Sequence, residues 1–205
     1  MNRIDKKFNE LRKKGRKAFI AFITAGDPSL KITEELVLAF EKSGVDIIEL
    51  GIPFSDPLAD GPTIQEASQR ALANHVTLKK ILSLVKGLRQ KTEIPIALMT
   101  YYNPVFHFGD ARFVREASAC GVDGLIIPDL PPEEASCLIR ESRRKGLATI
   151  FFLAPTTNPK RVPLINKASS GFIYYVSVAG VTGARTALPR SLIKDLKSIK
   201  RKISK

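Results

Sequence analysis

Six short apolar segments, each bounded by Gly, Pro or Asp, recur along the chain and constrain its fold more than any other feature. Five of them are almost continuous in Ile, Leu, Val, Phe or Ala, and the sixth also carries Tyr174, Tyr175 and Ser177. Continuous apolar runs are typical of strands that are covered on both faces, as in parallel sheets. The predicted strands are residues 18–24, 45–52, 94–100, 122–127, 147–154 and 171–178.

Segments with apolar residues at helical spacing lie between these strands. The strands begin about 24 to 28 residues apart, which is typical of βα repeats, except for a longer interval that holds two helices. The alternation predicts right-handed βαβ units and a parallel sheet. The predicted helices are residues 32–43, 62–72, 77–90, 111–119, 132–145, 159–168 and 189–202.

Six βα units fit either an open doubly wound sheet or part of an eight-unit barrel. The first strand is not followed by a G-x-G-x-x-G pattern, since Gly26 stands alone, and this disfavours a dinucleotide-binding domain. No linker and no shift in composition divides residues 1–205, so we expect a single domain.

The formal net charge of +13 raises the possibility of a nucleic-acid partner. The Lys and Arg residues are dispersed, however, and they lack the interleaved aromatic residues that stack on bases. A solvated basic surface is the better interpretation. No apolar run reaches the roughly 18 residues of a membrane span, and no signal peptide is recognisable, so we expect a cytoplasmic protein.

Metal and disulfide chemistry find little support in the sequence. The cysteines, Cys120 and Cys137, are not spaced as metal ligands, and we expect two reduced thiols. His75 and His107 are likewise isolated, which argues against a zinc site.

The loop after the second predicted strand is the best candidate for chemistry, because ligands of parallel α/β proteins bind beyond the carboxyl ends of the strands. Period two places Glu49, at the end of this strand, on the same face as Ile47. Burial there would raise its pKa and suit it for proton transfer near neutral pH. Asp60 precedes the next helix and could instead be a helix-start residue, and Asp56 a turn residue.

Other loops carry polar residues for which turn formation is the first expectation. They are Asp27, Asp129 and the segment 102–104 after the third strand. The glycine-bearing loop 180–185 after the sixth strand could move over a ligand or present backbone amides to a phosphate.

Taken together, these loops resemble tryptophan synthase alpha subunits over nearly the whole chain. The most specific segment runs from Glu49 to Gln65 and reads ELGIPFSDPLADGPTIQ. The other matching segments are FITAGDP at 22–28, IPDLP at 127–131, LAPT at 153–156 and YYVSVAGVTG at 174–183.

The resemblance implies a (β/α)8 TIM barrel with an added N-terminal helix, here with about six βα units. It implies retro-aldol cleavage of indole-3-glycerol phosphate to indole and glyceraldehyde 3-phosphate, without a cofactor or metal. The family's catalytic residues fall on Glu49 as the proton-transfer acid and Asp60 as the anion beside the indole N–H.

The resemblance also assigns substrate contacts. Phe22 lines the indole pocket, and the active-site tyrosine falls on Tyr174, with Tyr175 as the adjacent alternative. Thr182 and Gly183 fall in the loop that closes over the substrate, and Gly183 contributes to phosphate binding.

The resemblance further implies a partner, the tryptophan synthase beta subunit, in an α2β2 complex. The strand 2 loop, the Asn103–Pro104 segment and residues 129–131 would face it and pass indole on.

The family's strands 7 and 8 find no counterpart before Lys205, so we expect an incomplete barrel. The chain would then be a fragment, a truncated product, or one part of a barrel that a second polypeptide completes. An alternative function is therefore a catalytically weak or silent fragment that only binds a beta subunit. An indole-glycerol-phosphate synthase is the enzymatic rival, but it does not require the loop from Pro53 to Pro62.

Overall fold

The computed structural model describes residues 1–177 and 192–203. Their helices are α1 (Arg3–Lys13), α2 (Leu30–Lys42), α3 (Pro62–Ala73), α4 (Leu78–Leu88), α5 (Tyr102–Phe108), α6 (Asp110–Ala119), α7 (Ser136–Lys145), α8 (Val162–Ala168) and α9 (Leu192–Lys200). Their strands are β1 (Ile20–Thr24), β2 (Ile47–Gly51), β3 (Ile96–Met99), β4 (Gly124–Ile126), β5 (Ala148–Ile150), β6 (Phe152–Leu153) and β7 (Tyr174–Tyr175).

The strands form a parallel α/β architecture, as the sequence predicts. Strands β1 to β5 pair in chain order in one parallel sheet, and β6 pairs with β7 in a second. The fifth predicted strand is divided, because β5 and β6 both come from it and pair in different sheets. A change of pairing partner at Phe151 therefore interrupts a segment whose apolar sequence runs on without a break.

Two separate apolar cores cover the two faces of the sheet. The interior core lies on the concave side and contains Ile4, Ile47, Ala97, Ile126, Ala148 and Ile150. The outer core lies between the strands and the helices and includes Ile48, Leu50, Ile96 and Leu98. Neighbouring residues of β2 and β3 thus alternate between the two cores, which explains why both strands are apolar throughout.

Helix α1 covers the amino ends of the strands. Ile4, which is fully buried, belongs to the interior core and lies so close to Gly124 that a Cβ there would be 2.9 Å from its Cδ1 atom. The Asn2 side chain caps α1 by accepting from the Asp5 N–H, and it donates to the Asp123 carbonyl.

The polar segment after β3 does not form a simple turn, contrary to the sequence-based expectation. It begins helix α5, and Pro104 lies in the first turn, where the missing N–H costs no intrahelical bond. The Asp129 carboxylate accepts from the Tyr102 N–H at 2.8 Å. A carboxylate from the next loop therefore stabilises this helix start, and sequence order does not reveal such a contact.

Within residues 1–177 and 192–203, no helix combines the length and the apolar character that a membrane span requires.

Candidate active site

Glu49 is a buried carboxyl in the middle of β2, and not at the strand end as expected. Only 4% of the residue is exposed. It pairs with Phe22 of β1 and Ala97 of β3, and since Ala97 belongs to the interior core, Glu49 lies on the concave face. Burial raises the pKa of this carboxyl to about 7. Glu49 can therefore hold or release a proton near neutral pH.

Tyr174 of β7 lies close enough to Glu49 for the two to interact electrostatically. Burial, followed by the negative charge of Glu49, raises the pKa of the Tyr174 hydroxyl. The Tyr174 ring packs against Phe152, with 4.9 Å between the ring centroids. This packing holds a neutral hydroxyl group on the same concave face as the carboxyl.

Phe22 packs against a strand position that has no side chain. A Cβ atom on Gly51 would lie 2.6 Å from the Phe22 Cζ atom, which is far inside van der Waals contact. Gly51 follows Glu49 by two residues and lies on the same face. The glycine thus provides the space that the Phe22 ring occupies above the buried carboxyl.

Asp60 and Phe22 line the same cavity at the carboxyl ends of β1, β2 and β3. Its volume is about 20 Å³. Asp60 is half-buried and is the charged residue of this lining. The remaining lining residues are Thr24, Gly51, Ile52, Ile64, Ser68, Met99, Thr100, Tyr101 and Pro128. The lining combines apolar side chains, hydroxyl groups and one carboxyl, which are the groups that an apolar ring with a hydrogen-bond donor would contact.

Tyr101 positions the loop that carries Asp60. Its hydroxyl accepts from the Ala59 N–H at 2.8 Å and donates to the Asp60 carboxylate. Burial raises the pKa of Asp60, and the hydrogen bond from Tyr101 opposes that rise. The Tyr101 ring also packs on Phe54, with centroids 5.5 Å apart. One buried side chain thus holds this strand 2 loop at two points and favours the ionised form of Asp60.

Asp60 is not the cap of the helix that follows it. The N-cap residue of α3 is Gly61, and Pro62 occupies the first turn. The Asp60 side chain is therefore available to the cavity, while its carbonyl accepts from Gln65.

Four of the predicted site residues lie in the described part of the chain, and each lies near at least one other of the four. Phe22 pairs with Glu49 across strands β1 and β2, and it lines the cavity together with Asp60. Tyr174 lies near Glu49. Glu49 itself is not part of the cavity lining. Thr182 and Gly183 lie outside the described residues.

The other loop acids have structural roles. Asp27 accepts two hydrogen bonds from Arg70 of α3, at 2.8 and 2.9 Å, and these hold the pKa of its carboxyl below the usual value. Asp129 accepts from the start of α5. Both residues lie in turns, as expected, and their carboxylates also bind partners that are distant in sequence.

Sequence reasoning missed three residues of the site, namely Tyr101, Gly51 and Thr24. Tyr101 directly follows the third predicted strand, and the polar segment 102–104 beside it was considered instead. Gly51 has an ordinary strand conformation, so only its contact with Phe22 reveals its role. Thr24 could have been found from its period-two relation to Phe22.

A comparison with family models and known proteins gives a consistent result. The model of the family "Tryptophan synthase alpha chain" matches residues 8–205. The tryptophan synthase alpha chain of Geotalea daltonii is 53% identical over 204 residues, covering 100% of this chain and 77% of that relative. That of Geotalea uraniireducens is 54% identical, covering 100% and 76%.

Solved structures agree with the sequence relatives. The tryptophan synthase subunit alpha of Legionella pneumophila strain Paris superposes with a TM-score of 0.91 at 40% identity, covering 100% of this chain and 76% of that chain. A structure of the tryptophan synthase α2β2 complex of Pyrococcus furiosus matches with a TM-score of 0.84 at 42% identity, covering 91% and 75%. The family model covers nearly the whole chain and the relatives share about half of their residues with it, so the chain belongs to the tryptophan synthase alpha chain family.

Proposed function

We propose that this chain carries the lyase activity of its family, the cleavage of indole-3-glycerol phosphate to indole and glyceraldehyde 3-phosphate. The observation that carries the proposal is the buried Glu49, whose pKa of about 7 lets it give and take a proton. The carbon–carbon bond breaks after the indole ring gains a proton at C3, which makes the ring a cationic leaving group. A carboxylic acid of this pKa donates such a proton efficiently at neutral pH.

The second proton transfer returns the carboxyl to its initial state. The hydroxyl on the carbon next to the ring loses its proton to the Glu49 carboxylate as the bond to C3 breaks. The bonding electrons go back to the ring, and the alcohol carbon becomes the aldehyde of glyceraldehyde 3-phosphate. One proton has moved from oxygen to carbon, so the reaction consumes no oxidant, reductant or further reactant.

Asp60 stabilises the positive charge that develops on the ring. In the proposed mode the ring lies in the cavity beside Phe22, and its N–H donates to the ionised Asp60 carboxylate. The hydrogen bond from Tyr101 favours the ionised form of that carboxyl against the effect of burial. An acceptor that is fixed in place before the charge appears lowers the barrier without reorganisation. Two carboxyls in different surroundings thus take the acid and the anion roles.

Thr182, Gly183 and Tyr174 keep, within this proposal, the substrate contacts that the resemblance gives them. Tyr174 lies near enough to the reacting carboxyl to interact with it electrostatically, and its hydroxyl would meet the glycerol part of the substrate. Thr182 and Gly183 would close over the ligand, and Gly183 would contact the phosphate.

The test is a cleavage assay on the purified chain and on matched glutamate and aspartate variants. Glu49→Gln should reduce indole release by at least 100-fold, whereas Glu35→Gln on the exposed face of α2 should leave it unchanged. Asp60→Asn should reduce release strongly, and Asp56→Asn in the same loop should not. Release by Glu49→Gln at more than a few per cent of the wild-type rate would disprove the proposed acid.

We further propose that the chain binds a tryptophan synthase beta subunit, as in the complex of Pyrococcus furiosus. Leu58 in the strand 2 loop is 86% exposed and Phe106 in α5 is 69% exposed. Both lie at the end of the sheet where the strands finish, next to the cavity from which indole would leave. Large apolar side chains exposed beside a site are typical of protein interfaces.

A binding assay with a beta subunit tests this partner. The double variant Leu58→Ser and Phe106→Ser should weaken binding by tenfold or more. Phe19→Ser should not, because Phe19 is 62% exposed at the opposite end of β1. Binding of the wild-type chain without indole release would support the alternative function, a silent fragment that only binds a beta subunit.

We also propose that the chain works in the cytoplasm. Cys120 and Cys137 are both free and half-buried, as is usual in a reducing compartment.

A further inference from the structure

Thr24, at the end of β1, has a buried hydroxyl with no hydrogen-bond partner among the described residues. The residue is only 8% exposed and lines the cavity that contains Phe22 and Asp60. A buried hydroxyl without a partner costs free energy, and the great majority of such groups in native proteins are paired. This group therefore points to a hydrogen bond that forms with a ligand.

Ser68 of α3 is a second buried, hydroxyl-bearing residue of the same lining. It is 4% exposed and lines the same cavity, and α3 packs next to β1. Thr24 and Ser68 together form what we call the hydroxyl wall. Among the other lining residues, the Thr100 hydroxyl already donates to the Tyr101 carbonyl, Asp60 and Tyr101 bind each other, and the remainder are apolar.

We propose that the hydroxyl wall, and Thr24 in particular, recognises a polar substituent on the ring, so that the site accepts hydroxy- and amino-substituted indoles as well as indole. The inference rests on the proposed function, since it takes the cavity to be the indole pocket. In the proposed mode the ring N–H donates to the Asp60 carboxylate. The ring N–H is therefore not the missing hydrogen-bond partner of the Thr24 hydroxyl. A hydroxyl or amino group on the ring can both donate to and accept from Thr24.

Paired ligands of similar size reveal such a hydrogen bond. An apolar wall would favour a methylindole over the hydroxyindole that carries its substituent at the same position, because the methyl group gains by leaving water. If the wall instead carries a hydroxyl that lacks a partner, the hydroxyindole should bind more tightly than the methylindole. At the ring position that faces Thr24, we expect the hydroxyindole to bind about three- to tenfold more tightly than its methyl counterpart, the usual range for one net hydrogen bond.

The experiment measures the dissociation constants of indole and of hydroxy- and methylindoles substituted at positions 4 to 7, by calorimetry on the purified chain. Thr24→Val keeps the shape of the side chain and removes its hydroxyl, so it should abolish the preference for the hydroxyindole. Thr24→Ser should keep it, and Ser68→Ala should reduce it. Thr100→Val is the matched control in the same lining, because the Thr100 hydroxyl already donates to the Tyr101 carbonyl at 3.2 Å.

The outcomes separate this inference from the proposed function. If indole binds but methylindoles are preferred at every position, or if Thr24→Val leaves the ratio unchanged, the hydroxyl wall has no such role while the proposed function stands. If the wild-type chain binds no indole at all, both are overturned. Should Thr24→Val fail to fold, the wild-type ratio together with Thr24→Ser and Ser68→Ala still decides the matter.

Discussion

Tyr101 and Asp60 are joined by a hydrogen bond from the phenol to the carboxylate, and the same phenolic oxygen accepts from the Ala59 N–H at 2.8 Å. The two residues come from consecutive strand-end loops, 41 positions apart in the sequence. Burial raises the pKa of the Tyr101 hydroxyl to about 12, so it remains a donor throughout the working pH range. The position and the charge of Asp60 therefore both depend on one side chain outside its own loop.

Tyr101→Phe tests this dependence. The variant loses the donor to Asp60, so the pKa of Asp60 should rise and the acid limb of the pH–rate profile should move to higher pH. Indole release at neutral pH should fall by roughly tenfold, the value of about one such hydrogen bond. Tyr102→Phe is the control, because that hydroxyl contacts Asp110 away from the cavity. An unchanged acid limb in Tyr101→Phe would show that Asp60 is held by other groups.

Glu49→Gln should change stability in a pH-dependent way. The pKa of Glu49 is raised on folding, so the native state binds the proton more tightly than the unfolded chain between pH 4.5 and about 7. The contribution of the protonated Glu49 to the free energy of unfolding is fully present below pH 4.5, and it is lost as the pH rises through 7. Compared with the wild type, the neutral glutamine should therefore stabilise the fold at pH 8 by up to about 3 kcal/mol more than it does at pH 4.

Urea unfolding of both proteins at pH 4 and pH 8 measures this difference. Glu35→Gln, at an exposed position, should show no such dependence on pH. Equal effects of Glu49→Gln at the two pH values would mean that folding does not raise the pKa of this carboxyl.

Gly51→Ala should damage the site through Phe22. The added methyl group would lie 2.6 Å from the ring, so the ring must leave its position or the strands must separate. We expect a loss of about 1–3 kcal/mol in the free energy of unfolding and weaker binding of indole. Adding Phe22→Leu should recover part of the stability by removing the clash. Gly87→Ala in α4 is the control, since a Cβ atom there meets nothing within 4 Å.

Asp123→Asn should be among the most destabilising conservative changes. This carboxyl is 2% exposed and accepts from the Ile96 N–H at 2.9 Å, from Arg89 at 2.7 Å and from Arg3 at 3.1 Å. Removing its charge leaves the buried Arg89 without a counterion, which typically costs about 3–5 kcal/mol. The free energy of unfolding in urea measures the loss.

The exposed pair of Glu133 and Arg161 provides the comparison for Asp123. Glu133→Gln should cost less than about 1 kcal/mol, because exposed ion pairs are screened by water. A similar cost for both variants would show that the network around Asp123 is not a stabilising centre.

Strand and helix order could be predicted from the sequence because the apolar periodicity is a local property. The runs that became β1 to β4 are bounded by glycine, proline and aspartate, which favour turns at strand ends. The interruption at Phe151 and the helix at Tyr102 could not be predicted, since each depends on a neighbour that is distant in sequence. A new pairing partner divides the strand, and Asp129 supports the helix start.

For the site, the sequence by itself determined which residue types are present and in which loops they lie. The period of two placed Glu49 on the face of Ile47, and the motif around it pointed to the family. The tertiary structure decided the environment, which local pattern cannot specify. Helix α1 and strand β7 bring Ile4 and Tyr174 to the concave face where Glu49 is buried, and Tyr101 reaches across from the next strand to Asp60. The pKa of a carboxyl is set by the water and charges that surround it, and those surroundings exist only once the distant strands have packed together.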